Sequence, residues 1–305
     1  MDKRIALVTG GSGYLGSHLC KELKSKGWWV VVLDLKQPKH NYHDMLVLSD
    51  IRTFTDNVLA GLKVDTVFHL AGRIEAGISF QEPTEFYDVN TGGTIHLLQK
   101  MKKFKVERIV YSSTAGVYKA KQEPLRECDE LAKNSPYSSS KLCSEQAIRD
   151  SGIDFTILRY FNLAGADPSG EMGEDHDPET HLIPRILQNL NTVEIYGDDY
   201  NTPDGTCIRD YVHVSDIAEA HIQAAYFSNN GIFNLGTGKG YSNLEIVSTI
   251  EKVTGQKVNY TIKPKRPGDA DALVADITLA RDALGYKPKH DIQSIIQTAY
   301  SWHNK

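Results

Sequence analysis

Tyr137 and Lys141 lie four residues apart in "NSPYSSSKLCSEQ" (134–146). Positions i and i+4 share one face of a helix, so the phenol and the ammonium are expected side by side. A free tyrosine has a pKa of about 10, too high for a base at neutral pH. A neighbouring ammonium favours the phenolate and is expected to lower that value. A further hydroxyl can share the proton, and "YSSTAGVY" offers Ser112, Ser113 and Thr114 at the end of a preceding strand. The C-terminal ends of strands are where α/β sheets bind ligands. Alone, Tyr-x-x-x-Lys also describes a solvated helix face, so its meaning depends on its surroundings.

The first of those surroundings is "LVTGGSGYLGSH", in which Gly11-x-Gly13-x-x-Gly16 and Gly10-x-x-Gly13-x-x-Gly16 overlap. Both registers serve one purpose. Glycines let the backbone turn tightly and approach a pyrophosphate, and the helix that follows directs N–H groups and its positive dipole end at the anion. The pattern sits between a clear strand and a clear helix, as a dinucleotide-binding loop requires. Asp34 ends the next strand, roughly 20 residues on, where a carboxylate binds a ribose 2′-hydroxyl. It repels a 2′-phosphate and so favours NAD over NADP, although Lys36 and Lys39 follow closely.

These groups need elements to hold them. "RIALVTGG", "WWVVVLDL", "TVFHLAG", "RIVYSS" and "DFTILRYFN" read as buried strands, alternating with helical stretches such as "NTGGTIHLLQKMKKF". Near-continuous apolar strands mark a parallel sheet covered on both faces. The alternation predicts an α/β fold, a doubly wound Rossmann-type parallel sheet with a smaller α/β substrate-binding domain. Residues 1–162 plus about 208–240 are assigned to the cofactor part, and about 163–207 plus 241–305 to the substrate part. After Asn162 come a long loop, a short helix over 183–189, a strand over 193–196, and a capping box at Ser242 and Glu245. The bulk numbers fit an ordinary soluble globular protein: 305 residues, 40% hydrophobic, 24% charged, net charge −5. No basic block suggests nucleic acid. No apolar run suggests a membrane or a leader, and the four scattered cysteines fit a reducing cytoplasm.

At this point the residues resemble a family. "TGGSGYLG", "LAG", "SSTAGVY", "PYSSSK" and "LRYFNLAGA" are similar to the extended short-chain dehydrogenase/reductases. "PSGEMGEDH", "HLIPRI", "IYGDDYNTPDGTCIRDYVHV", "NLGTG" and "KRPGDADALVAD" narrow the resemblance to the UDP-glucose 4-epimerase family, over nearly the whole chain. The resemblance implies that NAD stays bound, that Tyr137 removes the proton of the sugar 4-hydroxyl while hydride leaves carbon 4, and that the transient 4-keto sugar turns before hydride returns. Lys141 holds the phenolate and the nicotinamide ribose, and Thr114 relays the proton. Gly10, Gly13, Tyr14, Leu15 and Gly16 match the pyrophosphate loop, Asp34 the adenosine ribose, and Asp50 and Ile51 the adenine edge. Leu70, Ala71, Asn90, Ser112 and Tyr160 match positions along the cofactor. Asn162, His181, Leu182 and Tyr196 match positions around the phosphates and uracil, Arg209 and Arg266 the sugar-nucleotide pyrophosphate, and Asp269 the uridine ribose. The family is commonly homodimeric, through helices around 83–103 and 137–150.

The pattern is departed from in places. Ile74 and Glu75 stand where many members have a lysine, which is expected to weaken the cofactor grip, and Lys119 replaces a common glycine. The segment between Asp34 and Asp50 is short. Leu273 holds the place of a residue that gates the sugar pocket; its intermediate size puts hexoses first and leaves N-acetylhexosamines open. Sugar-nucleotide dehydratases carry an Asp-Glu pair after the strand-end threonine, whereas Ala115 and Gly116 follow Thr114 here. A non-catalytic NAD sensor on the same fold needs neither Tyr137 nor Lys141. The acidic stretch "EDHDPETH" is expected to be a solvated substrate-side loop without a metal, since a five-residue step from His176 to His181 is not a usual zinc spacing and oxygen ligands would dominate.

Overall fold

The run Trp29–Asp34 has no solvent face: Val30, Val31, Val32 and Leu33 are all essentially inaccessible. Side chains alternate along a strand, so such a run needs apolar cover on both sides. Val30 and Val32 pack with Leu15, Leu19, Leu23, Ile217 and Phe233 on one face. Val31 and Leu33 pack with Leu97, Met101, Ile109 and Ile148 on the other. Each fully buried Val or Leu contributes about 1.5–3 kcal/mol.

The computed structural model describes residues 3–177, 179–266 and 269–305. Its central sheet takes β1 (Ile5–Thr9), β2 (Trp29–Asp34), β3 (Met45–Leu48), β4 (Thr66–His69), β5 (Arg108–Thr114) and β6 (Asp154–Tyr160), with Gly231–Leu235 as a seventh strand beside β6. The order is Gly231–Leu235, β6, β5, β4, β1, β2, β3, and every pairing is parallel. The strand order reverses between β1 and β4, so a crevice opens beyond their C-terminal ends. The expected doubly wound sheet is therefore present.

Smaller elements flank that crevice. Ile208–His213 is the centre of a second sheet, pairing with Asn162–Ala164, Gly240–Ser242 and Ala272–Leu273. Val193–Tyr196 pairs only with Tyr260–Lys263 among the described residues. The helices Leu182–Gln188, Asn243–Thr254 and Ile292–His303 close over a core of Ile183, Ile186, Ile195, Ile246, Ile250 and Ile295. The capping box at Ser242 and Glu245 forms as read from the sequence.

The helix Pro136–Asp150 carries Tyr137 and Lys141. Pro136 occupies its first turn, and Ser135 and Ser138 bond each other's backbone N–H in a capping box. Lys141, Glu145 and Ile148 face the sheet and are buried. Glu145 receives a bidentate contact from Arg159 on β6, with Nη2–Oε2 at 2.6 Å and Nε–Oε1 at 3.0 Å. Ser113 on β5 donates to the same carboxylate at 2.5 Å. Arg159 and Glu145 are 2% and 4% exposed, so removing either partner alone costs about 3–5 kcal/mol. Asn90 sits in a π-helical turn, Tyr87–Gly92, just before the helix Gly93–Lys103. Its amide accepts from Arg73 N and donates to Ser140 Oγ, tying the end of β4 to the Tyr137 helix.

Candidate active site

The crevice is one cleft of about 1520 Å³. Single-ligand pockets are about 300–1,000 Å³, so this one has room for a dinucleotide and a second nucleotide. Its floor is the glycine loop. Gly10 has φ +74°, and an ideal Cβ on it would lie 2.7 Å from Ala71 N at the end of β4. A Cβ on Gly16 would lie 2.0 Å from Gly10 O, so only glycine fits at that crossing. Gly13 caps the helix Tyr14–Ser25 with no side-chain cap and no acid in the first turn. The N–H groups there are left to an anion. Leu15 also lines this floor.

Asp34 ends β2 at the rim and accepts from Ser12 N and Lys36 N, both at 2.9 Å. Asp50 and Ile51 border the same end. The Asp50 carboxylate is held by Arg52, at 2.6 Å, and lies below its ordinary range for that reason. Arg52 also reaches Asp88 at 2.7 Å; nothing in the local sequence pointed to it. These features fit a dinucleotide with a free ribose 2′-hydroxyl: a backbone cradle, an open helix end and a rim carboxylate.

Leu70, Ala71, Thr114, Tyr137 and Tyr160 line the middle of the cleft. Lys141, Asn90 and Ser112 do not reach its surface and lie in the wall at 3%, 2% and 1% exposure. Lys141 Nζ donates to Ser112 O at 2.9 Å and sits 4.9 Å from the centre of the Tyr111 ring. Gly72, which lines the cleft, stands beside it; a Cβ there would lie 3.6 Å from Nζ and 2.7 Å from Asn90 Oδ1. Burial brings Lys141 down to about 8. Thr114 Oγ1 accepts from Gly116 N at 3.1 Å, which leaves its own proton free to donate. The Thr114 hydroxyl favours the Tyr137 phenolate, but burial, Tyr160 and then Glu75 outweigh it and hold Tyr137 above its ordinary value. The expected lowering by Lys141 is thus not what this structure contains. Spacing put the two groups on one face; burial of both decides the sign. Tyr160 is likewise pushed up by burial, to about 12.

The far end of the cleft holds Asn162, Leu182, Tyr196, Arg209, Arg266, Asp269 and Leu273. Arg266 lies 4.0 Å from the centre of the Tyr196 ring. Arg209 donates to Ala270 O and Ile208 O, and its Nη2 lies 3.8 Å from Asp269 Oδ1. It makes no pair with adjacent Asp210, which is wholly buried and bonded to Thr237, Gly238 and Ala275. Two arginines beside a carboxylate and an aromatic ring suit a nucleoside diphosphate.

The acidic loop lines the cleft and is solvated in part: Asp175, Asp177 and Thr180 are exposed, whereas its two glutamates turn inward. The Glu174 and Glu179 side chains are each 4% exposed, and His176 lies between them. His181 stands at the N-cap of the helix Leu182–Gln188 and contacts Glu174 through Nδ1, while its half-exposed ring also lines the cleft.

Residues 6–236 match the model of the NAD dependent epimerase/dehydratase family. The chain belongs to that family. It is 43% identical over 320 residues to the UDP-glucose 4-epimerase of Lacticaseibacillus casei, covering 97% of this chain and 96% of the relative. A UDP-glucose 4-epimerase from Stenotrophomonas maltophila, with bound NAD and formylated UDP-arabinopyranose, superposes with a TM-score of 0.93 at 35% identity, covering 99% of this chain and 98% of that one. The Bifidobacterium longum enzyme in complex with NAD+ and UDP gives 0.90 at 35% identity, with 98% of each chain covered.

Proposed function

We propose that this chain is an NAD-dependent UDP-sugar 4-epimerase that interconverts UDP-glucose and UDP-galactose through a transient 4-keto sugar. The observation that carries the proposal is Tyr137 beside Thr114 in the same cleft as the glycine loop, with no acid following Thr114. When bound, NAD supplies an acceptor and donor for the hydride of sugar carbon 4 and a positively charged ring. Tyr137 takes the proton of the sugar 4-hydroxyl and returns it to the new alcohol. Thr114 donates to the phenolate or passes the proton on. Lys141, buried at about 8, is mainly protonated at neutral pH and keeps a positive field behind the phenol.

In this reading Gly10, Gly13, Tyr14, Leu15 and Gly16 bind the cofactor pyrophosphate, Asp34 and Asp50–Ile51 the adenosine, and Leu70, Ala71, Asn90, Ser112 and Tyr160 shape the remaining wall. Arg209, Arg266 and Asp269 bind the UDP moiety with Asn162, Leu182 and Tyr196. His181 joins them from the cleft surface, where its side chain is 48% exposed. Leu273 sets the width available to the sugar. Residues 1–162 with about 208–240 serve the cofactor, and about 163–207 with 241–305 the nucleotide sugar. We extend the proposal to a cytoplasmic homodimer, supported by exposed Tyr87 and Ile95 on the 83–103 face and by scattered free cysteines. No helix among the described residues is long and apolar enough to cross a membrane. The test is a panel of UDP-hexoses, UDP-N-acetylhexosamines and UDP-pentoses assayed for 4-epimers with the purified protein. UDP-galactose is expected to turn over fastest; no epimer from any member refutes the proposal.

A further inference from the structure

Glu174, His176, Glu179 and His181 converge beside the glycine loop, each with one nitrogen or oxygen within 4.8 Å of the other three. His176 Nδ1 lies 3.3 Å from Glu174 Oε1 and 3.5 Å from Glu179 Oε2, and His181 Nδ1 contacts Glu174 Oε1. Around a tetrahedral zinc ion, bonds of roughly 2.1 Å set neighbouring donors roughly 3.4 Å apart. The two His176 distances are therefore already edges of such a tetrahedron. A second observation is independent of the clustering. Glu179 Oε2 is buried without a hydrogen-bond partner, on a side chain only 4% exposed. Its charged neighbour, His176 Nδ1 at 3.5 Å, makes no hydrogen bond to it, and an ion seated between the two would satisfy the buried oxygen. The two carboxylates hold His176 and His181 above the ordinary imidazole value, so a divalent ion would displace protons from the rings and take over the balance of the carboxylate charge.

We propose that Glu174, His176, Glu179 and His181 form a closed structural site for one zinc ion. Imidazole nitrogens favour zinc over calcium or magnesium, and four protein donors leave no open position for catalysis. The objection from spacing does not stand, since His-x4-His falls within the intervals that structural zinc sites use. The site braces both ends of the cleft. The His176 ring meets the edge of Tyr14, first residue of the phosphate-facing helix, at 6.4 Å between centres. His181 caps Leu182–Gln188, which carries Leu182 to the sugar-nucleotide end.

Tag-free protein from zinc-supplemented culture, analysed by mass spectrometry of its metals, tests the proposal. About one zinc per chain is expected in the wild type, and about a tenfold loss in Glu179→Gln and His176→Gln. The unfolding midpoint of the wild type is expected to fall with chelator and to recover with added zinc. X-ray absorption at the zinc edge is expected to show nitrogen and oxygen neighbours only. Wild-type protein without zinc and without a zinc-dependent midpoint overturns the site. So does zinc retained in both variants, sulfur in its shell, or magnesium or manganese in its place. Should the variants fail to fold, the midpoint and the absorption edge of the wild type decide alone.

Discussion

The two ends of the cleft are held in opposite ways. At the cofactor end the contacts are backbone and buried: Gly16 against Gly10 O, Gly10 against Ala71, Lys141 on Ser112 O, Asn90 between Arg73 and Ser140. At the sugar-nucleotide end they are side chains on loops, leaning on one another. Arg266 lies over Tyr196, Lys265 over Tyr200 at 3.9 Å, and Tyr200 bonds Asp269 at 3.3 Å. The first set cannot rearrange without disturbing the sheet, whereas the second can be exchanged for a ligand at little cost. A cofactor that stays and a sugar that must turn over need this asymmetry.

The asymmetry can be broken in order of effect. Tyr137→Phe is expected to cut turnover about 10³-fold or more while the protein keeps its dinucleotide, read by the absorbance of the purified enzyme. Near-normal turnover would remove Tyr137 from the base role. Lys141→Met is expected to slow reduction of the bound cofactor about 10²-fold in single-turnover mixing, with KM unchanged. An unaltered rate shows that the buried ammonium exerts no useful field. Arg266→Ala is expected to raise KM for UDP-galactose about 10–100-fold with dinucleotide content unchanged. Loss of the dinucleotide in that variant means the two ends are not separable. Leu273→Tyr is expected to lower kcat/KM for N-acetylhexosamine substrates about tenfold more than for hexoses. Equal losses on both mean that position 273 does not set the width.

A further effect is on stability. Lys141 is brought by burial from 10.5 to about 8. Between those values the unfolded chain carries a proton that the folded chain lacks, so stability rises with pH across that window. Below it both states are protonated, and the cost of the buried charge is present in full. Urea unfolding of cofactor-free protein is expected to show this rise in the wild type and to lose it in Lys141→Met. Parallel pH profiles for the two place the lysine in water.

What sequence made legible was local. The glycine loop, Asp34, the buried strands and the Ser242 box each rest on neighbours within one element, and each stands where spacing put it. Long-range packing was not legible. Asn162–Ala164, Gly240–Ser242 and Ala272–Leu273 are too short to show a period, and only pairing with Ile208–His213 makes them strands. The π turn at Asn90 leaves no signature in composition. Spacing placed Tyr137 and Lys141 on one face but said nothing of water, and burial reversed the expected shift of the phenol. The acidic loop misled in part, because charge in a sequence suggests solvent: Asp175 and Asp177 are exposed, but the Glu174 and Glu179 side chains are inside.

The fork from Arg159 to Glu145 bears on anyone who would transplant this chemistry. Tyr137, Lys141 and Glu145 follow one another at four-residue steps, so a lock on the third fixes the roll of the helix beneath the first two. The motif that a designer would copy is five residues long, from Tyr137 to Lys141. Its working cassette also contains Glu145 and, on two separate strands, Ser113 and Arg159. A graft without them would carry the reactive groups and lose their aim, and the guanidinium that sets that aim never meets the sugar.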